Sequence, residues 1–150
     1  MSAIETKSTQ QLFEEYGEAW ASLDPARIAE WHAEDGAFCL HVGDAEDAVG
    51  RDAIRETFAG FIAQFPDLGY EIVRVIYGED HYVAEWKFSG TLAAPLDVAG
   101  EQAEPSGEWI EWDAVDVITW KDEKIERKDT YVDSVALQAK LAAAAEKAAA

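Results

Sequence analysis

Residues 111–133 of the chain, EWDAVDVITWKDEKIERKDTYVD, contain two strand-like runs joined by a short charged turn at residues 121–124. The middle of the first run is apolar apart from one carboxylate, Asp116. Successive residues of a strand point to opposite faces. The other residues on the face of Asp116 are therefore Trp112, Ala114, Ile118 and Trp120. The pattern predicts a β-hairpin whose apolar face carries Asp116, and we expect this carboxylate to point into a pocket.

The chain around this hairpin predicts the α+β class, with helices first and mostly antiparallel strands after them. Apolar residues at helical spacing predict helices over residues 8–23, 25–33 and 51–65. Strand-like runs cover residues 37–42, 70–77 and 81–91. We expect the three helices to pack on one side of a curved sheet, within a single domain of residues 1–135.

Two segments carry weaker structural signals. Residues 93–108 hold two prolines and two glycines without periodicity, which predicts a long loop of the kind that often serves function. Residues 136–150 are rich in alanine, and the whole segment from residue 134 has high helix propensity but little to bury. This second segment is predicted to form a helical or frayed C-terminal tail.

The charge of the chain limits its partners. The 31 acidic residues outnumber the 12 basic residues, which gives a formal net charge of -19. Nucleic acid and anionic membrane surfaces attract positive potential, so neither is an expected partner. No apolar run approaches the roughly 20 residues of a membrane span. The first residues have neither the basic nor the apolar region of a secretion signal, which favours a cytoplasmic location.

The composition predicts an aromatic cavity without a metal or cofactor. Six Trp, six Phe and five Tyr residues are plentiful for 150 residues, and such rings often line a cavity. The three histidines lack metal-ligand spacing, and the acidic clusters do not fit a calcium loop. Phosphate-loop, dinucleotide and nucleophile-elbow motifs are absent. The expected ligand is a flat, apolar or aromatic small molecule.

Several motifs, in their order and spacing, resemble the nuclear transport factor 2-like superfamily, and within it the SnoaL-like polyketide cyclases and ketosteroid isomerases. These motifs are WHAEDG at residues 31–36, GRDAIR at 50–55, WKFSGT at 86–91, EPSGE at 104–108, and the strand pair from VDV at 115–117 to YVD at 131–133. The resemblance covers residues 9–133. It implies a cone-shaped, strongly bent sheet closed by the helices around a deep apolar cavity, in a protein that is commonly a dimer.

The resemblance assigns two catalytic candidates. Asp116 falls where SnoaL-like cyclases keep an acid/base aspartate and, with a one-residue gap, where ketosteroid isomerases keep an aspartic acid that donates to the substrate oxygen. In those isomerases an apolar site keeps this carboxyl neutral, which allows it to donate. Tyr16 matches the oxyanion tyrosine of the isomerases without a gap. The resemblance therefore implies an acid and a phenol at one oxyanion site.

The chain also departs from these relatives. The general-base aspartate of the isomerases would fall at Leu40, and the histidine of the cyclases at Leu92. The arginine and two aspartates of the family's epoxide hydrolases would fall at Trp86, Phe88 and Thr130, which argues against that chemistry. No general base is evident in the sequence.

Further side chains are expected around the pocket. Candidate lining residues are Trp20, Phe38, Leu40, Phe58, Trp86, Phe88 and Trp112. Lys128 could enter the cavity as a counter-charge to Asp116, although strand lysines usually face water. His41 is expected on the outer face beside Leu40, and His32 is expected at a helix end rather than as a base.

Three functions remain open from the sequence. The first is a cofactor-independent isomerase or cyclase that transfers protons on an apolar, carbonyl-bearing substrate of polyketide or steroid type. The second is a non-catalytic binding module with the same aromatic pocket, in which Asp116 orients a polar ligand atom. An assembly protein that acts through the outer sheet face is a third possibility.

Overall fold

The computed structural model describes residues 6–150. Residues 1–5 lie outside the described residues. They belong to the predicted domain and to the N-terminal segment that was expected to lack a secretion signal. In chain order the elements are α1 (Thr9–Ala21), α2 (Pro25–Ala29), β1 (His32–His41), β2 (Ala48–Val49), α3 (Arg51–Gln64), β3 (Gly69–Tyr77), β4 (His81–Thr91), β5 (Leu96–Val98), β6 (Glu101–Ala103), β7 (Trp109–Lys121), β8 (Lys124–Val132) and α4 (Ser134–Ala149).

Six strands form one curved, unclosed sheet in the order β2-β1-β8-β7-β4-β3. Only β1 and β8 are parallel; the other neighbours are antiparallel. Apolar side chains of α1 and α3, such as Phe13 and Phe58, join Trp86 and Ile118 of the sheet in one core cluster. The prediction of an α+β fold with helices against a curved sheet is confirmed.

The β7–β8 hairpin carries a bulge that decides which side chains face the core. Its two-residue turn has Asp122 and Glu123 at φ 52° and 59°, the positive angles that a tight hairpin turn requires. Trp120 pairs with Ile125, but Thr119 pairs with Arg127, so Glu126 is left without a partner. Relative to a regular hairpin, such an extra residue moves the side chains that follow it to the opposite face of the sheet.

The bulge brings Lys128 and Thr130 to the inner face of the sheet, on the side of Asp116. Both are buried, with 5% and 8% exposure. Thr130 is the direct cross-strand partner of Asp116. A regular hairpin would instead have placed Asp129 opposite Asp116.

The prediction for residues 25–33 was wrong at its end. The helix α2 stops at Ala29, and β1 begins at His32. The amide of Ile125 donates to the carbonyl of Trp31 at 2.8 Å, and His32 is paired with Ile125. Pairing with β8 therefore extends the sheet into a segment whose local pattern suggests helix, and His32 is a buried strand residue rather than a helix end.

Residues 93–108 are also more ordered than predicted. They contain the short hairpin β5–β6, whose turn has Ala99 and Gly100 at φ 50° and 90°. Val98 is buried, and Leu96 and Ala103 pack against the same core cluster. The period-two signal of a three-residue strand is too short to be read from sequence.

The C-terminal segment forms α4, but the expectation that it has little to bury was wrong. Leu137, Leu141 and Ala144 recur at helical spacing and are buried. They share a core cluster with Trp112 and Val98. Gln138 Nε2 donates to the Val98 carbonyl at 2.7 Å, so α4 is fixed against the β5–β6 hairpin.

Candidate functional site

One cavity of about 350 Å³ lies between the inner face of the sheet and the helices. Its walls are mainly apolar and come from α1, α3, α4 and six strands. All ten residues that the sequence predicts for the site line it: Tyr16, Trp20, Phe38, Leu40, Phe58, Trp86, Phe88, Trp112, Asp116 and Lys128. The fold thus gathers around one space side chains that are more than a hundred residues apart in the chain.

Asp116 is held in the cavity wall by two donors. Its Oδ1 accepts a hydrogen bond from Thr130 Oγ1 at 2.6 Å, and its Oδ2 accepts one from Trp86 Nε1 at 3.0 Å. The residue is only 4% exposed. Because an indole N–H can only donate, Oδ2 acts as an acceptor. The two bonds fix the orientation of this carboxylate.

Lys128 is the counter-charge to Asp116. Its Nζ lies 3.9 Å from Asp116 Oδ2 and donates to Tyr16 Oη at 3.2 Å. Four aromatic rings surround the ammonium group at 4.8–5.7 Å from their centroids, those of Tyr16, Trp20, Phe38 and Phe58. Ring faces attract cations, and this attraction strengthens away from water. The arrangement therefore suits a buried ammonium.

The charge state of Lys128 follows from opposing effects. Burial acts to lower its pKa, but the Tyr16 oxygen and the Asp116 carboxylate outweigh burial and raise the pKa of Lys128 above its usual value. Lys128 is consequently an ammonium at neutral pH. An ammonium has three N–H donors, and within residues 6–150 only one is used by a protein acceptor, Tyr16.

Tyr16 links Lys128 to His32. The Tyr16 hydroxyl lies 2.9 Å from His32 Nε2, and both residues are buried. Since Lys128 donates to the Tyr16 oxygen, the hydroxyl proton is directed to His32 Nε2, and the neutral His32 carries its own proton on Nδ1. Burial raises the pKa of Tyr16, an effect that the charge of Lys128 partly offsets. Tyr16 is therefore a phenol here, not a phenolate.

His32 is kept neutral by its surroundings. Burial, together with the positive charges of Lys128 and Arg51, lowers the pKa of His32 to about 3. Arg51 also fixes the backbone, because its Nε and Nη2 donate to the His32 carbonyl at 3.0 and 2.8 Å. His32 serves as a fixed acceptor behind Tyr16 and does not line the cavity.

The other two histidines lie away from the cavity. His41 Nε2 is 2.8 Å from Asp129 Oδ1 on the outer face, and its ring stacks on Tyr131 at 3.9 Å between centroids. His81 bonds to Asp80 beside the β3–β4 turn. The expected outward position of His41 agrees with the structure, and Leu40 is the neighbour that lines the cavity.

Sequence reasoning missed the roles of Thr130 and His32. The sequence marks Thr130 only as the place where a relative has an aspartate, and its bond to Asp116 depends on the bulge at Glu126. The local pattern around His32 favours a helix end. The WHAEDG motif pointed to this position, but only the pairing of β1 with β8 places the ring behind Tyr16.

Within residues 6–150, no group of three or more His, Cys, Asp or Glu side chains is placed to hold a metal ion. No helix in this part of the chain has the length and apolar character needed to cross a membrane.

Comparisons with known proteins agree with the fold. The structure is similar to a protein from Jannaschia sp. CCS1 described as a SnoaL-like polyketide cyclase, at TM-score 0.74 and 16% identity over 95% of this chain and 99% of that one. It is similar to a protein with a ketosteroid isomerase-like fold from Catenulispora acidiphila, solved in complex with trimethylamine, at TM-score 0.73 and 16% identity over 90% and 95%. A phenazine biosynthesis-related protein from Pseudomonas aeruginosa gives TM-score 0.66 and 19% identity over 89% and 88%.

The bent sheet, the helices on its inner face and the enclosed cavity define a protein of the nuclear transport factor 2-like superfamily. A family model described as a SnoaL-like domain matches residues 13–128. The chain belongs to this SnoaL-like family. Comparison with curated proteins gives no match.

Proposed function

We propose that the protein is a cofactor-independent enzyme of the isomerase or cyclase type, which moves protons on an apolar, carbonyl-bearing small molecule of polyketide or steroid type. One observation carries this proposal: a buried carboxylate and a buried ammonium, Asp116 and Lys128, lie 3.9 Å apart in the wall of an aromatic cavity. Oppositely charged groups that face an apolar ligand site are suited to acid and base roles.

Asp116 acts as the base in this proposal. Its oxygens are acceptors, and the bonds from Thr130 and Trp86 hold it in one orientation. A base must lie roughly 3 Å from the proton that it removes. The 3.9 Å gap to Lys128 suits one ketone placed across both groups, with its oxygen on Nζ and the carbon beside its carbonyl against Asp116.

Lys128 stabilises the enolate oxygen that forms when this proton leaves. A preorganised donor aimed at developing charge, in a site without water, supplies a large part of many rate enhancements. The resemblance to the isomerases implied that Tyr16 makes this contact. In the structure the Tyr16 hydroxyl bonds to Lys128 and His32, so we assign the oxyanion contact to Lys128 and give Tyr16 the role of orienting it.

The proton that Asp116 takes returns to another carbon of the same molecule, or the enolate carbon attacks a second carbonyl carbon within it, the π bond of that carbonyl breaks, and its oxygen takes the proton back from Asp116. The first outcome is an isomerisation and the second a cyclisation. Neither needs an external oxidant. The Trp and Phe side chains of the wall hold the ring system in place.

The test is proton exchange in heavy water with a panel of ketosteroids and polyketide-like ketones. The wild-type protein is expected to introduce deuterium beside a carbonyl, and Asp116→Asn is expected to slow exchange by about 10²-fold or more. Asp113→Asn is the matched control, since Asp113 lies on the same strand but is exposed on the other face. Exchange at the wild-type rate in Asp116→Asn would contradict the role of Asp116.

The binding module is the second candidate, and one feature favours it. Both oxygens of Asp116 already accept hydrogen bonds, so the carboxylate could serve only to hold Lys128 in place. Tight binding of a panel member by the wild-type protein without deuterium incorporation would support this function and exclude the enzymatic one.

A further inference from the structure

Two glycines in the middle of helices line the cavity, Gly17 of α1 and Gly60 of α3. Glycine inside a helix is unfavourable by about 1 kcal/mol relative to alanine. Close packing explains some glycines of this chain: a Cβ on Gly36 would lie 3.0 Å from two carbonyl oxygens. A Cβ on Gly17 or Gly60 would meet no atom of the described residues within 4 Å, so packing among them does not require glycine at either position.

Both glycines lie near the solvent opening of the cavity. Among the lining residues, the exposed ones are Glu56, Thr57, Gly60, Tyr70 and Asp97. Three of these belong to α3, and the Tyr70 hydroxyl donates to the Gly17 carbonyl at 3.2 Å. The opening is therefore bordered by α3, by the start of β3 next to Gly17, and by β5.

An aromatic contact joins the two helices. The Trp20 ring of α1 packs edge-on against Phe58 and Phe61 of α3, with centroids 4.9 and 6.5 Å away. Gly17 lies one turn before Trp20, and Gly60 lies between Phe58 and Phe61; neither contributes a side chain. The space they leave is continuous with the cavity that Asp116 and Lys128 share.

We propose that the gap between α1 and α3 is the entrance for the ligand, and that Gly17 and Gly60 set the size of molecule that can pass. The inference deepens the proposed function, because it concerns the same cavity, but it requires only that the cavity binds a ligand and not that Asp116 catalyses a reaction. Glu56 and Asp97 at the opening, in a chain of net charge -19, favour neutral or cationic molecules over anionic ones.

Uptake of a neutral fluorescent apolar probe, N-phenyl-1-naphthylamine, tests the entrance by stopped-flow fluorescence. Gly17→Phe and Gly60→Phe are each expected to lower the association rate constant about tenfold or more. Gly17→Ala and Gly60→Ala are expected to keep the wild-type rate and to raise the melting temperature, because alanine is the better helix former.

Ala59→Phe is the matched control, since Ala59 is exposed on α3 and does not line the cavity. Its association rate is expected to equal that of the wild type. Wild-type rates in both glycine-to-phenylalanine variants, equal slowing in Ala59→Phe, or no uptake of the probe by the wild-type protein would each overturn the proposal.

The same probe separates this inference from the proposed reaction. If the wild-type protein shows no proton exchange but the glycine variants still slow uptake, the entrance stands and the catalytic proposal fails. If exchange occurs and neither phenylalanine variant affects its rate at low substrate concentration, the catalytic proposal stands and the entrance fails.

Discussion

At the scale of single residues, Asp116 and Lys128 depend on each other. Both are buried, so the desolvation cost of each charge is offset mainly by the other and by hydrogen bonds from neighbouring groups. Removing one partner of a buried ion pair leaves the other uncompensated, at a cost of about 3–5 kcal/mol. Replacing both with neutral side chains of similar volume avoids that cost.

We therefore predict strong coupling between Lys128→Met and Asp116→Asn. Lys128→Met alone is expected to lower the free energy of unfolding by about 3–5 kcal/mol, and the double variant to lose less than the sum of the single losses. Urea unfolding of the wild type, the two single variants and the double variant measures the coupling energy. Additive losses would mean that the two charges do not interact in the folded protein.

His32 makes a second prediction, which concerns pH. The pKa of His32 is about 3 in the folded protein, below the value of about 6.5 expected for an unfolded chain. Between these values the unfolded state binds one more proton, so the stability due to neutral His32 is present above pH 6.5 and is lost as pH falls towards 3.

His32→Gln, which keeps an acceptor for Tyr16, is expected to remove this dependence. From pH 7 to pH 5.5 the wild type should lose about 1 kcal/mol more free energy of unfolding than the variant does. Denaturant unfolding at the two pH values provides the comparison, and other titrating groups are common to both proteins. Equal losses would show that His32 is not held neutral.

At the scale of elements, the bulge at Glu126 decides the chemistry of the cavity. The side-chain period of a strand is two, so one inserted residue moves every later side chain to the opposite face. Without the bulge, Arg127 and Asp129 would point into the apolar cavity, and Lys128 and Thr130 would point outward. The observed site thus depends on the bulge, which takes up one extra residue whose own side chain is exposed.

Deletion of Glu126 tests this dependence. The shortened β8 keeps Arg127 opposite Thr119, so Lys128 and Thr130 still face inward, and the variant is expected to bind the probe as the wild type does. Glu126→Ala, which keeps the bulge, is expected to change the free energy of unfolding by no more than about 0.5 kcal/mol. A deletion variant that folds but does not bind the probe would show that the site needs the local geometry of the bulge and not only the register that it sets.

The elements also show how far sequence can predict this protein. Alternation along β7 and helical spacing along α1 and α3 were long enough signals to place Asp116, Tyr16 and Phe58 at the cavity. The inward position of Lys128 depends on the bulge, which has no sequence pattern of its own. The strand at His32 and the packing of α4 depend on partners far along the chain. Local propensity therefore predicted a helix at His32 and a tail with little to bury in place of α4.

At the scale of the whole molecule, the outer face of the sheet is left uncovered by the described chain. The helices pack on the inner face, while Val83, Val115 and Val117 of the central strands are only half-buried on the outer one. Beside them Ile76 and Tyr131 are 50% and 47% exposed. Contiguous apolar surface of this kind marks an interaction site in a soluble protein.

We propose that a second copy of the chain covers this face, in line with the dimer that the family resemblance implies. Charged residues of both signs border the patch, including the pair of Arg74 and Glu85, so two identical faces related by a two-fold axis can bring opposite charges together. Isologous contact of this kind needs only one surface. It leaves the cavity, which lies on the other side of the sheet, free to bind its ligand.

The expected result is a dimer in sedimentation velocity at micromolar concentration. Val117→Arg, at the centre of the face, should shift the protein to monomers, since an interface cannot bury two unpaired charges without a large cost. Gln10→Arg, on the exposed side of α1, is the control for the added charge and should stay dimeric. A monomeric wild type would show that no dimer forms, and a dimer that survives Val117→Arg would show that the contact lies on another surface. Probe uptake by the monomeric variant would show that one chain forms the cavity alone.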